Sequence, residues 1–132
     1  MKNKGFTLLE LLVVIGIIGI LVALATVSYS ATQKAGRDSR RKQDMVAIQN
    51  ALEQYYSENA YTYPDGTCST DAPTYMNSAW PTDPSSGVAY SPSTCATSGY
   101  CVCALMEKIT SGNSGAGCGW AAKTYYCVGN LQ

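Results

Sequence analysis

Between Leu11 and Val27 the chain carries no charged side chain, and almost every position is Leu, Ile, Val or Ala. Coiled as a helix this run is about 26 Å long, and adding Phe6 to Leu9 brings it to the roughly 30 Å of a bilayer hydrocarbon core. It can span a membrane. Glu10 stands directly before it, and a lone carboxylate in a membrane-entering helix costs on the order of a few kcal/mol, so it marks a functional position whose partner has to be found. Gly16 and Gly19 each cost about 1 kcal/mol against Ala in a helix interior. They suit either local melting or close helix approach, or they are ordinary membrane-helix glycines; their spacing is not the four-residue step of a dimer motif.

No proline occurs before Pro64. After Ser28 the pattern turns amphipathic, with Met45, Ile48, Leu52 and Tyr55 or Tyr56 at steps of three and four. One helix is therefore predicted from Thr7 to about Glu58, far longer than an average globular helix of about 10 to 14 residues. Beyond Asn59 the composition shifts to Tyr, Pro, Ser, Thr, Gly and Cys, with turn signals at Pro64-Asp65-Gly66 and Pro81-Thr82-Asp83-Pro84. Loops are expected to about residue 87, then strands at Val88–Ser91, Tyr100–Met106 and Lys123–Val128. The expected class is α+β: a long helix whose apolar half protrudes and whose amphipathic half packs on a small antiparallel sheet of about three strands, beside a disulfide-rich loop region.

The nine basic and nine acidic residues balance, but unevenly along the chain. Lys34, Arg37, Arg40, Arg41 and Lys42 crowd one stretch, whereas the part beyond Tyr55 is mildly acidic. The basic run reads first as a solvated helix face; DNA, anionic headgroups or acidic groups of a neighbouring subunit are the other candidates. Tyr55, Tyr56, Tyr61 and Tyr63 are expected to pack where helix meets head. A globular part of about 75 residues has a small core, and domains of that size commonly add disulfides. Cys68, Cys95, Cys101, Cys103, Cys118 and Cys127 supply such a framework, with fifteen connectivities open. Cys101 and Cys103 share one face of a strand and are expected to reach different partners. With no His and no Cys-x-x-Cys pair, neither metal nor cofactor is expected. No residue set suggests an enzyme: there is no phosphate loop, no nucleophile with a base and no spaced carboxylate pair.

Lys2-Asn3-Lys4-Gly5-Phe6-Thr7-Leu8-Leu9-Glu10, followed by the apolar run, closely resembles the class III N-terminal signal of type IV prepilins and of type II secretion major pseudopilins. Tyr63-Pro64 and Trp80-Pro81-Thr82-Asp83-Pro84, with Gly87 and Tyr90, are similar to that family's loop-to-strand passage. The resemblance implies cutting after Gly5 by a prepilin peptidase and methylation of the new terminal Phe6. It implies a leader 1–5, a transmembrane and filament-core helix 6–28, an amphipathic continuation 29–58 and a disulfide-stabilised head 59–132. Glu10 would align subunits by pairing with the Phe6 ammonium, in its own chain or a neighbour's. Such a precursor sits once through the cytoplasmic membrane. An inner-membrane assembly platform would extract it into a helical homopolymer, an extracellular type IV pilus serving adhesion, twitching motility or DNA uptake, the last a weak hint of nucleic-acid contact.

Two departures stand against the family pattern, and one conflict against a general membrane tendency. The membrane-side helix lacks the common proline. Acidic residues are absent after Glu107, so the pseudopilins' calcium loop does not carry over. The stronger cationic cluster also lies on the far side of the apolar run, against the positive-inside tendency. The alternatives are a major pseudopilin of a secretion system and, from another class, a secreted soluble binding protein cut after Ala23-Leu24-Ala25 by an ordinary signal peptidase.

Overall fold

The computed structural model describes residues 5–119 and 122–131, with the side chains of Val27 and Ser28 left aside. Met1 to Lys4, most of the expected leader, lie outside the described residues. The chain divides into two units, Met1–Gln33 and Lys34–Gln132.

Helix α1 runs over Leu8–Glu58, close to the predicted bounds, and is uninterrupted at Gly16 and Gly19. It ends without a glycine. The Asn59 backbone amide and its side-chain amide both donate to the Tyr55 carbonyl at 2.9 Å, and the side chain also donates to the Tyr75 hydroxyl at 3.1 Å. Ala60 and Tyr61 then take positive φ, and the Tyr61 amide reaches back to the Tyr56 carbonyl.

Within the second unit, α1 buries the stripe that its periodicity marks out. Met45, Ile48 and Leu52 are fully buried beside Tyr63, Tyr90, Tyr100, Val102, Ala104, Met106 and Val128. Tyr56 stacks on Tyr63, which meets Tyr100 edge to face. A short helix α2, Cys68–Asp71, continues into a 3-10 turn at Ala72–Tyr75. Its four residues carry too little periodicity to be read from sequence.

The sheet is three-stranded and antiparallel in the order β1-β2-β3, with β1 at Pro92–Ala96, β2 at Gly99–Leu105 and β3 at Tyr125–Gly129. The second and third strands fall where the sequence predicts them; the first does not. Val88–Ser91 contributes only an isolated bridge, Ala89 against Thr82, in the return arm of a tight loop. That loop is tied by the Asp83 carboxylate to the Ser85 and Ser86 amides and turns at Gly87, where φ is +70°. The strand begins instead at Pro92, whose missing N–H is tolerated at a first strand position beside the register shift between Pro92 and Thr94.

Both outer edges of the sheet are occupied. Thr97 and Cys95 carbonyls accept from the Tyr63 and Gly66 amides alongside β1. Along β3 the Asn113 side chain acts as a one-residue strand, donating to the Cys127 carbonyl at 2.9 Å and accepting from its amide at 2.8 Å. Such partners shield part of each edge from pairing with another chain.

Candidate functional site

In the first unit the carboxylate before the apolar run is fixed locally. Thr7 precedes the helix, and its amide and hydroxyl donate to Glu10 Oε2 at 2.9 and 2.8 Å, while its Oγ1 accepts from the Glu10 amide at 3.2 Å. This is a capping box: two orphan amides of the first turn are satisfied reciprocally by Thr and by a Glu three residues on. Sequence reasoning overlooked Thr7, although Thr7-Leu8-Leu9-Glu10 is the signal for it. In the uncut chain the Phe6 nitrogen is a peptide amide, so an ion pair between Glu10 and a Phe6 ammonium requires prior cutting after Gly5.

Phe6 is 85% exposed, and Leu8, Leu9, Leu11, Leu12, Ile17 and Leu21 all stand more than half exposed. These positions point to every side of the helix, not to one stripe. A helix apolar all round belongs in lipid or inside a bundle, because no single face can hide the rest. Length and composition suffice for crossing a membrane.

In the second unit Lys34 and Arg40 of the basic run are exposed as expected, but Arg37 and Arg41 turn to carboxylates of the head. Arg41 is 4% exposed and is enclosed by three carboxylates. Its Nε and Nη2 donate to the two Asp83 oxygens at 2.6 and 3.2 Å, and Nη1 donates to Asp38 at 2.8 Å and to Glu107 at 2.9 Å. Arg37 adds a forked pair to Glu107 at 2.6 and 2.7 Å. Asp38, also buried, accepts from the Glu107 and Lys108 amides at 2.9 Å each and from the Ser111 hydroxyl. Burial pushes the Asp38 carboxyl up, but these donors together with Arg41 outweigh it and hold it below the usual range. Hydrogen bonding to Arg41 holds Asp83 far lower. Arg37, against some desolvation, brings Glu107 down to about 2. The network clamps the 81–86 loop and the 107–111 turn to α1. The available sequence signal was the acidic excess of the head, which needed basic partners.

A second hub secures the end of the chain. Glu53 accepts from the Tyr63 and Tyr100 hydroxyls, each at 3.0 Å, and from the Leu131 amide at 3.1 Å, while Gln49 donates to the Gly129 carbonyl. Burial first, then the nearby carboxylate, pushes both phenols well above their ordinary value.

All six cysteines are paired: Cys68–Cys95, Cys101–Cys118 and Cys103–Cys127. The first joins α2 to β1, the second joins β2 to the 3-10 turn at Ala116–Cys118, and the third links opposed residues of β2 and β3. Cys101 and Cys103 do reach different partners, as their shared face suggests.

The family model described as "Prokaryotic N-terminal methylation motif" matches residues 1–26. The chain thus carries this methylation motif at its amino terminus. Over 57 residues it is 39% identical to the "Type IV major pilin protein PilA" of Myxococcus xanthus (strain DK1622), covering 43% of this chain and 26% of that protein. It is 40% identical over 63 residues to the "Type II secretion system core protein G" of Escherichia coli (strain K12), covering 48% of this chain and 43% of that one. The protein of the same name from Aeromonas hydrophila is 38% identical over 58 residues, covering 44% and 41%. The matched stretches therefore span about a quarter to two fifths of the length of these curated relatives. No solved structure matches the chain.

Proposed function

We propose that this chain is the structural subunit of a type IV pilus. The observation that carries the reading is the helix segment from Leu8 to Leu24, apolar on every side, opened by a methylation motif and a capped Glu10. Such a surface has two compatible surroundings, lipid before assembly and like helices after it. In this reading residues 1–5 are a leader removed by a prepilin peptidase, and Phe6 is the methylated terminus. Residues 6–28 cross the cytoplasmic membrane and then form the filament core; 29–58 continue the helix into the head, 59–132. The new Phe6 ammonium competes with Thr7 for the Glu10 carboxylate and aligns each incoming subunit. The assembly platform extracts the subunit, contacts between subunits are heterologous, and repetition gives an open helical polymer on the cell surface. The chain performs no catalysis; adhesion, twitching or DNA uptake belongs to the fibre.

The mass of the mature chain tests this reading. It requires a product that begins with N-methylated Phe6, and a soluble product beginning at Thr26 would instead identify an ordinary secreted protein. A second reading is favoured by the similarity to the two secretion core proteins: a major pseudopilin building a short periplasmic fibre. The three disulfides and the lack of acidic residues after Glu107 support the surface pilus. Electron microscopy of sheared cell-surface material at native expression separates the two. Long fibres are expected, and their absence with loss of protein secretion on deletion would select the pseudopilin.

A further inference from the structure

Two peptide bonds of this sequence read as places to cut, Gly5–Phe6 and Ala25–Thr26, and the fold treats them oppositely. The second lies well inside α1, where main-chain groups are engaged in the helical ladder and the Thr26 hydroxyl donates to the Ala23 carbonyl at 3.0 Å. Gly5, Phe6 and Thr7 precede the helix without regular structure and are exposed. Beyond its chain neighbours, nothing lies within 4 Å of where a Gly5 β-carbon would stand. A peptidase takes its substrate as an exposed, unwound segment, so the bond ahead of α1 is ready for cutting and the bond inside it is not.

Thr7 fixes that boundary. Its carbonyl accepts the first helical bond, from the Leu11 amide at 3.3 Å, and its Oγ1 accepts from the Glu10 amide at 3.2 Å, the two marks of an N-cap. The next residue upstream with a capping side chain is Asn3, and a helix begun there would take Gly5–Phe6 into its first turn. Thr7→Ala favours that outcome twice over, by removing the cap and by supplying the best helix former. We propose that Thr7 is a positioning residue for maturation: by setting the helix start at Leu8, it holds the Gly5–Phe6 bond in the unwound form that a prepilin peptidase takes. Hydrolysis there adds one water, leaving a carboxylate on Gly5 and an ammonium on Phe6. Glu10→Ala preserves the bond from the position-10 amide to Thr7 Oγ1, so this role belongs to the hydroxyl and not to the carboxylate. The inference rests on the pilus reading, in which Gly5–Phe6 is the bond cut.

The full chain in detergent is incubated with a purified prepilin peptidase, and initial rates of cutting are followed by mass spectrometry over a range of chain concentrations. Thr7→Ala is expected to raise KM about fivefold with kcat unchanged, because the unwound form becomes scarcer while its reactivity stays the same. Thr7→Ser keeps a capping hydroxyl, and Thr7→Asn keeps a capping oxygen on a side chain of different shape. Both are expected to restore the wild-type KM, which separates capping from recognition of the threonine by the peptidase. Thr7→Ala with an unchanged KM, a loss confined to kcat, or Thr7→Asn as poor as Thr7→Ala overturns the proposal. A wild-type chain that is not cut after Gly5 overturns instead the reading beneath it.

Discussion

Arg41 shows how one side chain can change the meaning of a sequence stretch. In a row of five cations it reads as solvent-facing, yet its guanidinium serves three carboxylates at once and is almost fully buried. A buried charge is tolerable only when its partners are complete, so deleting this one leaves Asp38 buried with uncompensated charge. Arg41→Met is expected to destabilise the head by about 3 kcal/mol, measured by urea unfolding followed through tyrosine fluorescence. Arg40→Met, at an exposed position, is expected to stay within about 0.5 kcal/mol. Acid should act on the same network. The Glu107, Asp83 and Asp38 carboxyls all lie below their ordinary values when folded, so the unfolded chain binds protons more readily. Their stabilisation is complete above the ordinary carboxylate range, near pH 4.5, and is lost as pH falls toward the Glu107 value of about 2. The melting temperature of the head is therefore expected to hold above about pH 5 and to drop steadily below about pH 4. A melting curve flat down to pH 2 would remove this role for the network.

Among the elements, the long helix was the most legible, because a period near 3.6 over Met45, Ile48 and Leu52 is a local property of the chain. The register of the strands was less so. Pro92 masked the start of β1, and Thr97-Ser98 is not a strong hairpin signal, whereas β2 and β3 are rich in Val, Tyr and Cys. Gly112 is the glycine on which β3 depends most. A β-carbon there would collide with the Tyr125 and Lys123 carbonyl oxygens, which are main chain and cannot rotate away. Gly112→Ala is expected to cost about 2 kcal/mol or more in thermal unfolding, while Gly36→Ala, in open space on α1, is expected to be neutral or stabilising by up to about 1 kcal/mol. The Cys68–Cys95 bridge closes a separation of 27 residues, and replacing both cysteines by Ala is expected to cost about 3 kcal/mol. Protease sensitivity should then appear first between Pro64 and Ala72, where α2 loses its tie to β1.

For the whole molecule, assembly sets the strongest demand on the amino-terminal half. In the pilus reading an uncovered apolar helix passes from lipid into protein and needs a device to register one copy against the next, and the only acidic side chain before the second unit is Glu10. On that reading, with cutting after Gly5 preceding assembly, Glu10→Ala is expected to leave the cut intact and to reduce surface fibres at least tenfold by quantitative immunoblotting of sheared material. Normal fibre yield would remove the alignment role of the carboxylate. The same variant also loses the Thr7 capping box at the first turn. Thr7→Ala, which breaks the box but keeps the charge, separates the two effects: helix capping alone would make both variants equally defective.

The sequence by itself determined the long helix, the apolar character of its first half, the presence of a small sheet and the use of six cysteines as staples. Each of these is written in local periodicity or composition, where neighbours along the chain are also neighbours in space. Only the tertiary structure decided which cysteines meet, where β1 begins, that Arg37 and Arg41 turn inward to Asp83 and Glu107, and that Glu53 gathers two tyrosines and the Leu131 amide. Those contacts join residues as many as 78 positions apart. Their choice rests on register and burial across the whole second unit, and no window of sequence contains it.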